Sequence, residues 1–172
     1  VANTRRNLPE ALSPQIKSTN FLNNILAKRE SIAAGTFDSL FLNWKDELTE
    51  CTVSNLFFIS GKTLHTPALD CGILDGITRT IVMTLAQEEG VPVREGHYHL
   101  ADLQRAEECF LTNTSMEIMP VNRVDSFAIG EVHVLPQDRD SGHPAVYWVR
   151  ISYIWLIWLT IGGMAVHNLL DL

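Results

Sequence analysis

Apolar and polar positions change their period several times along this chain, and each change marks an element. Phe21, Leu22, Ile25 and Leu26 recur at helical spacing, and Ile32 and Ala33 extend the stripe. The pattern predicts a helix beginning near Thr19, capped by Ser18 or Thr19 and closed by Gly35. Before it, Pro9 and Pro14 forbid a continuous helix, so residues 1–15 read as an extended segment. Three β-rich runs follow at 38–44, 54–60 and 62–67, with Ser60-Gly61 as a hairpin turn between the last two. Residues 68–76 read as a loop. Ile77 to Glu89 reads as a helix stopped by Gly90, with Ile77, Ile81, Val82 and Leu85 as its buried stripe. "VPVREGHYH" is strand-like, "LADLQRAE" a short helix opened by His99 or the turn before it, "CFLTN" and "EIMPVNRV" two more strands, and "DSFAIG" a turn. Strands and helices interleave without a strict βαβ rhythm, which predicts an α+β domain with a strongly bent mixed sheet.

The tail has a different texture. From Ile151 to Leu170 there are 20 residues without Asp, Glu, Lys or Arg. A helix of that length spans about 30 Å, close to a bilayer's hydrocarbon core. Trp148, Tyr153, Trp155 and Trp158 gather at one end, as an interfacial belt would. Residues 132–144 read as a linker, and 145–172 as an apolar helix that either crosses a membrane and tethers the chain there or packs as a buried terminal helix.

Composition narrows the function classes. The chain has 172 residues, enough for one domain with a real core, and 46% of them are hydrophobic. A net charge of −7 with scattered basic residues leaves nucleic-acid binding without an electrostatic footprint. Three cysteines, Cys51, Cys71 and Cys109, form no CxxC pair, which points to a reducing, cytoplasmic setting. His97 and His99 would share a strand face, but no third ligand lies close in sequence, so no metal site is predicted. Val1 is not an initiator methionine, and the chain reads as a piece of something longer.

Four stretches carry candidate chemistry. Lys17 stands just before the first helix, near the positive end of its dipole, where a desolvated amine could attack a carbonyl. Position alone favours an ordinary solvated lysine. Glu50, in "LTECTVSN", follows a short strand and could sit on a pocket floor or be an exposed strand-end charge. Gly76 precedes the helix at Ile77, with Thr78 in its first turn. Free backbone N–H groups and a hydroxyl there suit a phosphate, or simply cap the helix. Thr112, Asn113, Thr114 and Ser115 form a second polar cluster at a strand end, or an ordinary turn.

Taken together, "IKSTNFLNNILAKRE", "TECTVSNLFF", "TPALDCGILDGITR" and "ECFLTNTSMEIMPV" resemble the fold-type IV, or class IV, pyridoxal-phosphate enzymes. That family includes branched-chain aminotransferase, D-amino-acid aminotransferase and 4-amino-4-deoxychorismate lyase. The resemblance covers about residues 3 to 131 and matches the family's larger C-terminal domain, with the N-terminal domain absent. It implies a homodimer acting on a small amino substrate with pyridoxal 5'-phosphate. It assigns Lys17 as the lysine that bonds to the cofactor aldehyde and later shuttles a proton. Glu50 becomes the partner of the pyridine nitrogen, and Leu74 the apolar residue on one ring face. Gly76, Ile77 and Thr78 would cradle the phosphate. Thr114 would add a second hydroxyl, with Asn113 a further contact in lyase-like members. The texture of "LDCGILDGITR", "EGHYHLADL" and "TNTSMEIMPV" resembles the lyases most, while "RRNLPEALSPQIKS" resembles branched-chain aminotransferases as much. From about Val132 the sequence leaves the family pattern. An expectation of another class is therefore a truncated or fused, inactive product.

Overall fold

The computed structural model describes residues 1–130. The linker expected at 132–144 and the apolar helix expected at 145–172 lie outside the described residues, as does residue 131. Within residues 1–130 no helix is long and apolar enough to cross a membrane.

The sheet is organised around β3 (Asn55–Ser60). Its sequence NLFFIS is buried through its first five residues, as a strand covered on both faces must be. On one edge it pairs antiparallel with β6 (Glu108–Asn113), and β6 continues to β7 (Glu117–Pro120). On the other it pairs with β4 (Thr63–Pro67) at one end and with β2 (Leu48–Cys51) at the other, the latter through Glu50 opposite Asn55. β2 also pairs with β1 (Leu40–Leu42), and β4 runs parallel to β5 (Val93–Gly96). This seven-stranded branched sheet is mixed, as expected of an α+β domain. β8 (Arg123–Val124) and β9 (Phe127–Ala128) form a separate small ribbon.

A parallel pair needs a crossover, and α2 (Ile77–Glu88) supplies it between β4 and β5. Alternation along β3 divides the core. Phe57 and Ile59 join Leu64, Val82, Leu85, Ala86 and Phe110 beneath α2, with Phe57 and Phe110 stacked at 5.1 Å. Leu56 and Phe58 join Leu48, Leu103, Cys109 and Leu111 on the other face, near α3 (Leu100–Gln104). Each large aromatic so buried contributes roughly 1.5–3 kcal/mol of transfer free energy.

Several expectations need correction. α1 (Leu22–Ala33) begins later than predicted, with Phe21 rather than Ser18 or Thr19 at its N-cap and no side-chain cap. Its apolar stripe faces outward: Leu22 is 63% and Ile32 69% exposed, while Ala27 and Ser31 are buried. In α2, Val82 and Leu85 are buried as predicted, but Ile77 and Ile81 are 71% and 45% exposed. α1 turns most of its bulky residues, and α2 turns Ile77 and Ile81, away from this domain's core, so periodicity alone misreads which side is covered. The segment 1–15 is extended only at first: Ala2 and Arg6 donate to Leu40 and Leu42 carbonyls, and a turn follows at Leu8–Leu12. The hairpin turn lies at Gly61-Lys62, both at positive φ, one position beyond the predicted pair. His97 and His99 fall after β5 instead of sharing its face. Residues 127–128, read as part of a turn, form β9.

Candidate active site

Glu50 is an interior residue of β2, not a strand-end charge, and strand pairing turns it inward. Its Oε1 accepts from the Arg6 guanidinium, and its Oε2 accepts from Asn55 Nδ2 and the Leu74 backbone N–H, both at 3.1 Å. Burial pushes the Glu50 carboxyl up to about 7, against the pull of Arg6 and of the Leu74 N–H. Burial likewise lowers Arg6, with Glu50 opposing it. A carboxylate offers about four acceptor positions. Three are taken, leaving one on Oε1.

The loop 68–76 is fastened to the same acid. Asn55 Nδ2 also donates to the Leu74 carbonyl at 2.8 Å, and Arg6 Nε donates to the Gly72 carbonyl at 3.0 Å. Gly72 adopts a φ of 95°, a left-handed conformation that favours glycine. Gly76 is required for a different reason: a Cβ there would lie 2.2 Å from Asn55 Oδ1. The loop thus approaches β3 so closely that any side chain at 76 would have to displace Asn55, and it delivers the N-terminus of α2 beside the Glu50 network. No side chain caps that N-terminus, so its first N–H groups are without intrahelical partners. Arg79 anchors the first turn from below, bonding to the Pro67 carbonyl at 3.2 Å and pairing with Glu95.

A cavity of about 490 Å³ opens here, and all eight residues singled out from the sequence line it: Lys17, Glu50, Leu74, Gly76, Ile77, Thr78, Asn113 and Thr114. Lys17 is exposed, in the irregular segment before α1. Thr78 is half-buried in the first turn of α2, and Thr114 is exposed after β6. Asn113 is already engaged: Nδ2 donates to the Val53 carbonyl at 3.2 Å, while Oδ1 accepts from Ser115 and Met116 N–H at 2.9 and 2.7 Å. Its side chain shapes the turn that presents Thr114. Two lining hydroxyls, Ser54 Oγ and Thr112 Oγ1, are buried with no hydrogen-bond partner among the described residues. Such groups are costly unless something pairs with them.

Sequence reasoning missed Arg6, Asn24 and Asn55, which surround Glu50. Asn24 accepts from Arg6 Nη1 at 3.2 Å and donates to the Thr52 carbonyl at 2.6 Å. The doublet Arg5-Arg6 was the one available signal, but nothing in it shows that Arg6 turns inward.

The model of the amino-transferase class IV family matches residues 1–124. Aminodeoxychorismate lyase of Bacillus subtilis is 37% identical over 130 residues, 76% of this chain and 44% of that protein. D-alanine aminotransferase of Listeria monocytogenes is 38% identical over 116 residues, 67% of this chain and 40% of that protein. Among solved structures, the branched-chain aminotransferase of Escherichia coli superposes with a TM-score of 0.74 at 32% identity, covering 76% of this chain and 43% of that one. The PLP form of the Thermobaculum terrenum branched-chain aminotransferase gives 0.72 at 35% identity, covering 74% and 42%. The chain therefore spans less than half the length of the relatives it matches. With the family model covering nearly all the described residues, the chain belongs to the class IV aminotransferases, a family of pyridoxal-phosphate-dependent enzymes.

Proposed function

We propose that this chain forms the cofactor-holding part of a pyridoxal-phosphate enzyme that converts 4-amino-4-deoxychorismate to 4-aminobenzoate and pyruvate. The observation that carries the reading is the single cavity lined by Lys17, by the networked Glu50 and by the N-terminus of α2. The residues fit the cofactor in three respects. The N-terminus of α2, which follows Gly76, has no side-chain cap, so its first N–H groups are open to a phosphate. Ser54 and Thr112 hold unspent hydroxyls in the lining. Glu50 keeps one acceptor position.

When bound, the cofactor would supply an electron-withdrawing ring and an aldehyde. Glu50 would hold a proton on the ring nitrogen, with Arg6, Asn55 and the Leu74 N–H fixing its orientation. Leu74 would pack against the ring. The N–H groups at Ile77 and Thr78 and the hydroxyls of Thr78 and Thr114 would bind phosphate, favoured by the positive helix end. Lys17, the one lysine in the lining among the described residues, would anchor the aldehyde and move protons at the substrate's reacting carbons.

Branched-chain or D-amino-acid transamination is the second reading, supported by the similarity to the Listeria and E. coli aminotransferases. It uses the same residues, with Lys17 moving a proton between substrate Cα and cofactor. We assign a homodimer to either reading, supported by the outward apolar face of α1, where Phe21, Leu22, Ile25 and Ile32 are exposed. Steady-state assays separate the readings. Pyruvate and 4-aminobenzoate released from 4-amino-4-deoxychorismate support the lyase, whereas amino transfer to a 2-oxo acid supports the transaminase. Absence of both, together with no absorbance band for lysine-bound cofactor, identifies an inactive product.

A further inference from the structure

A second cluster of reactive side chains lies outside the cavity. Glu47 immediately precedes β2, Cys71 ends the short 3-10 turn after β4, and His97 immediately follows β5. Three separate elements thus bring a carboxylate, a thiol and an imidazole together. His97 Nδ1 lies 3.1 Å from Glu47 Oε1 and 3.5 Å from Cys71 Sγ, and all three donor atoms fall within 4.8 Å of one another. We propose that Glu47, Cys71 and His97 bind one divalent transition-metal ion of the zinc class.

The donor spacing supports this. Tetrahedral zinc with bonds of about 2.0–2.3 Å places its ligand atoms about 3.3–3.7 Å apart. Both His97 separations are close to that before any metal binds. The donor set also discriminates. A thiolate and an imidazole suit a borderline-soft cation, whereas magnesium and calcium take oxygen ligands.

The surroundings supply the positioning that such sites need. His97 Nε2 lies 3.3 Å from Asp70 Oδ2. A proton on Nε2 shared with that carboxylate leaves the Nδ1 lone pair facing the other two ligands, the usual arrangement behind a metal-bound histidine. Asn43 Nδ2 holds two ligand residues at once, donating to Glu47 Oε2 at 2.7 Å and to the Cys71 carbonyl at 3.2 Å. Glu47 and Cys71 are buried, while His97 is exposed and gives the ion a route in from solvent. Three protein ligands leave a fourth position for water. On binding, Cys71 gives its thiol proton to solvent and coordinates as thiolate. His99 takes no part, since its Nδ1 lies 3.0 Å from the Asp46 carbonyl. The ion would clip together β2, β5 and the loop that carries Leu74 and Gly76. The proposal does not depend on which reaction the cavity supports.

Cobalt(II) titration of the full chain, purified without chelator, tests it. The expected result is a thiolate-to-cobalt charge-transfer band with tetrahedral visible bands, both displaced by Zn²⁺. Cys71→Ser should remove the charge-transfer band, because Cys51 and Cys109 pack in the apolar core cluster and only Cys71 is grouped with Glu47 and His97. His97→Gln alters an exposed residue, and its circular dichroism verifies folding. It should weaken binding by at least as much as Asp70→Asn, for which about a 10–100-fold loss is expected. The proposal is overturned if the wild-type chain shows no charge-transfer band. It is equally overturned if folded His97→Gln and Asp70→Asn bind cobalt as the wild type does.

Discussion

Glu50 and Lys17 line the same cavity, yet their surroundings have little in common. Glu50 is in a strand, buried, and held by three donors from three parts of the chain. Lys17 is exposed, in an irregular segment, and makes no hydrogen bond or ion pair to the described residues. The contrast suits the roles proposed for each. A carboxylate that fixes charge on a ring must be preorganised, because reorientation during reaction costs free energy. A lysine that forms a covalent bond and then carries protons must change position. One role requires a network and the other requires freedom from one.

Substitutions should separate these sides sharply. Lys17→Ala should abolish the absorbance band of lysine-bound cofactor entirely while changing the stability measured by urea unfolding by no more than about 0.5 kcal/mol, as for surface substitutions. A folded variant that retained the band would remove Lys17 from the chemistry. Arg6→Ala should act in the opposite sense. It strands a buried carboxylate, and about 3–5 kcal/mol of stability should disappear in denaturant titration. A loss below about 1 kcal/mol would mean that Glu50 is not dependent on its partner.

The pH dependence sharpens the same contrast. Folding raises the Glu50 carboxyl from 4.5 to about 7, so the native state binds this proton more tightly than the unfolded chain. Its contribution is therefore complete below pH 4.5 and is lost as pH rises through about 7. Stability should fall across that window by on the order of a few kcal/mol, and Glu50→Gln should flatten the slope while Lys17→Ala leaves it unchanged. The smallest effect is expected at the loop. Gly76→Ala pushes a methyl group against Asn55, whose amide is already committed to Glu50 and Leu74. About 1–3 kcal/mol of destabilisation should result, with weaker retention of cofactor in dialysis. Unchanged stability and retention would show that the loop has room to move.

The elements were largely legible because hydrophobic periodicity is local. The run NLFFIS, the helix after Gly76 and the hairpin at Gly61 each follow from neighbours within a few residues. The outward faces of α1 and α2 were not legible, since spacing shows that a stripe exists and not what covers it. At the site, the glycine before a helix, the hydroxyl in its first turn and the lysine after Pro14 are local signals. Position alone gave Lys17 no special standing; the four motifs taken together did. Arg6 and Asn55 left no such trace.

By itself, then, the sequence determined most of the element types, the family and the eight residues that meet in the cavity, because these depend on short-range pattern and motif wording. Only the tertiary structure decided that Glu50 is buried against Arg6, that Asn55 ties the acid to the loop, and that Glu47, Cys71 and His97 converge. Those contacts join residues 5 to 50 positions apart, and their energies come from desolvation and geometry that no local pattern records.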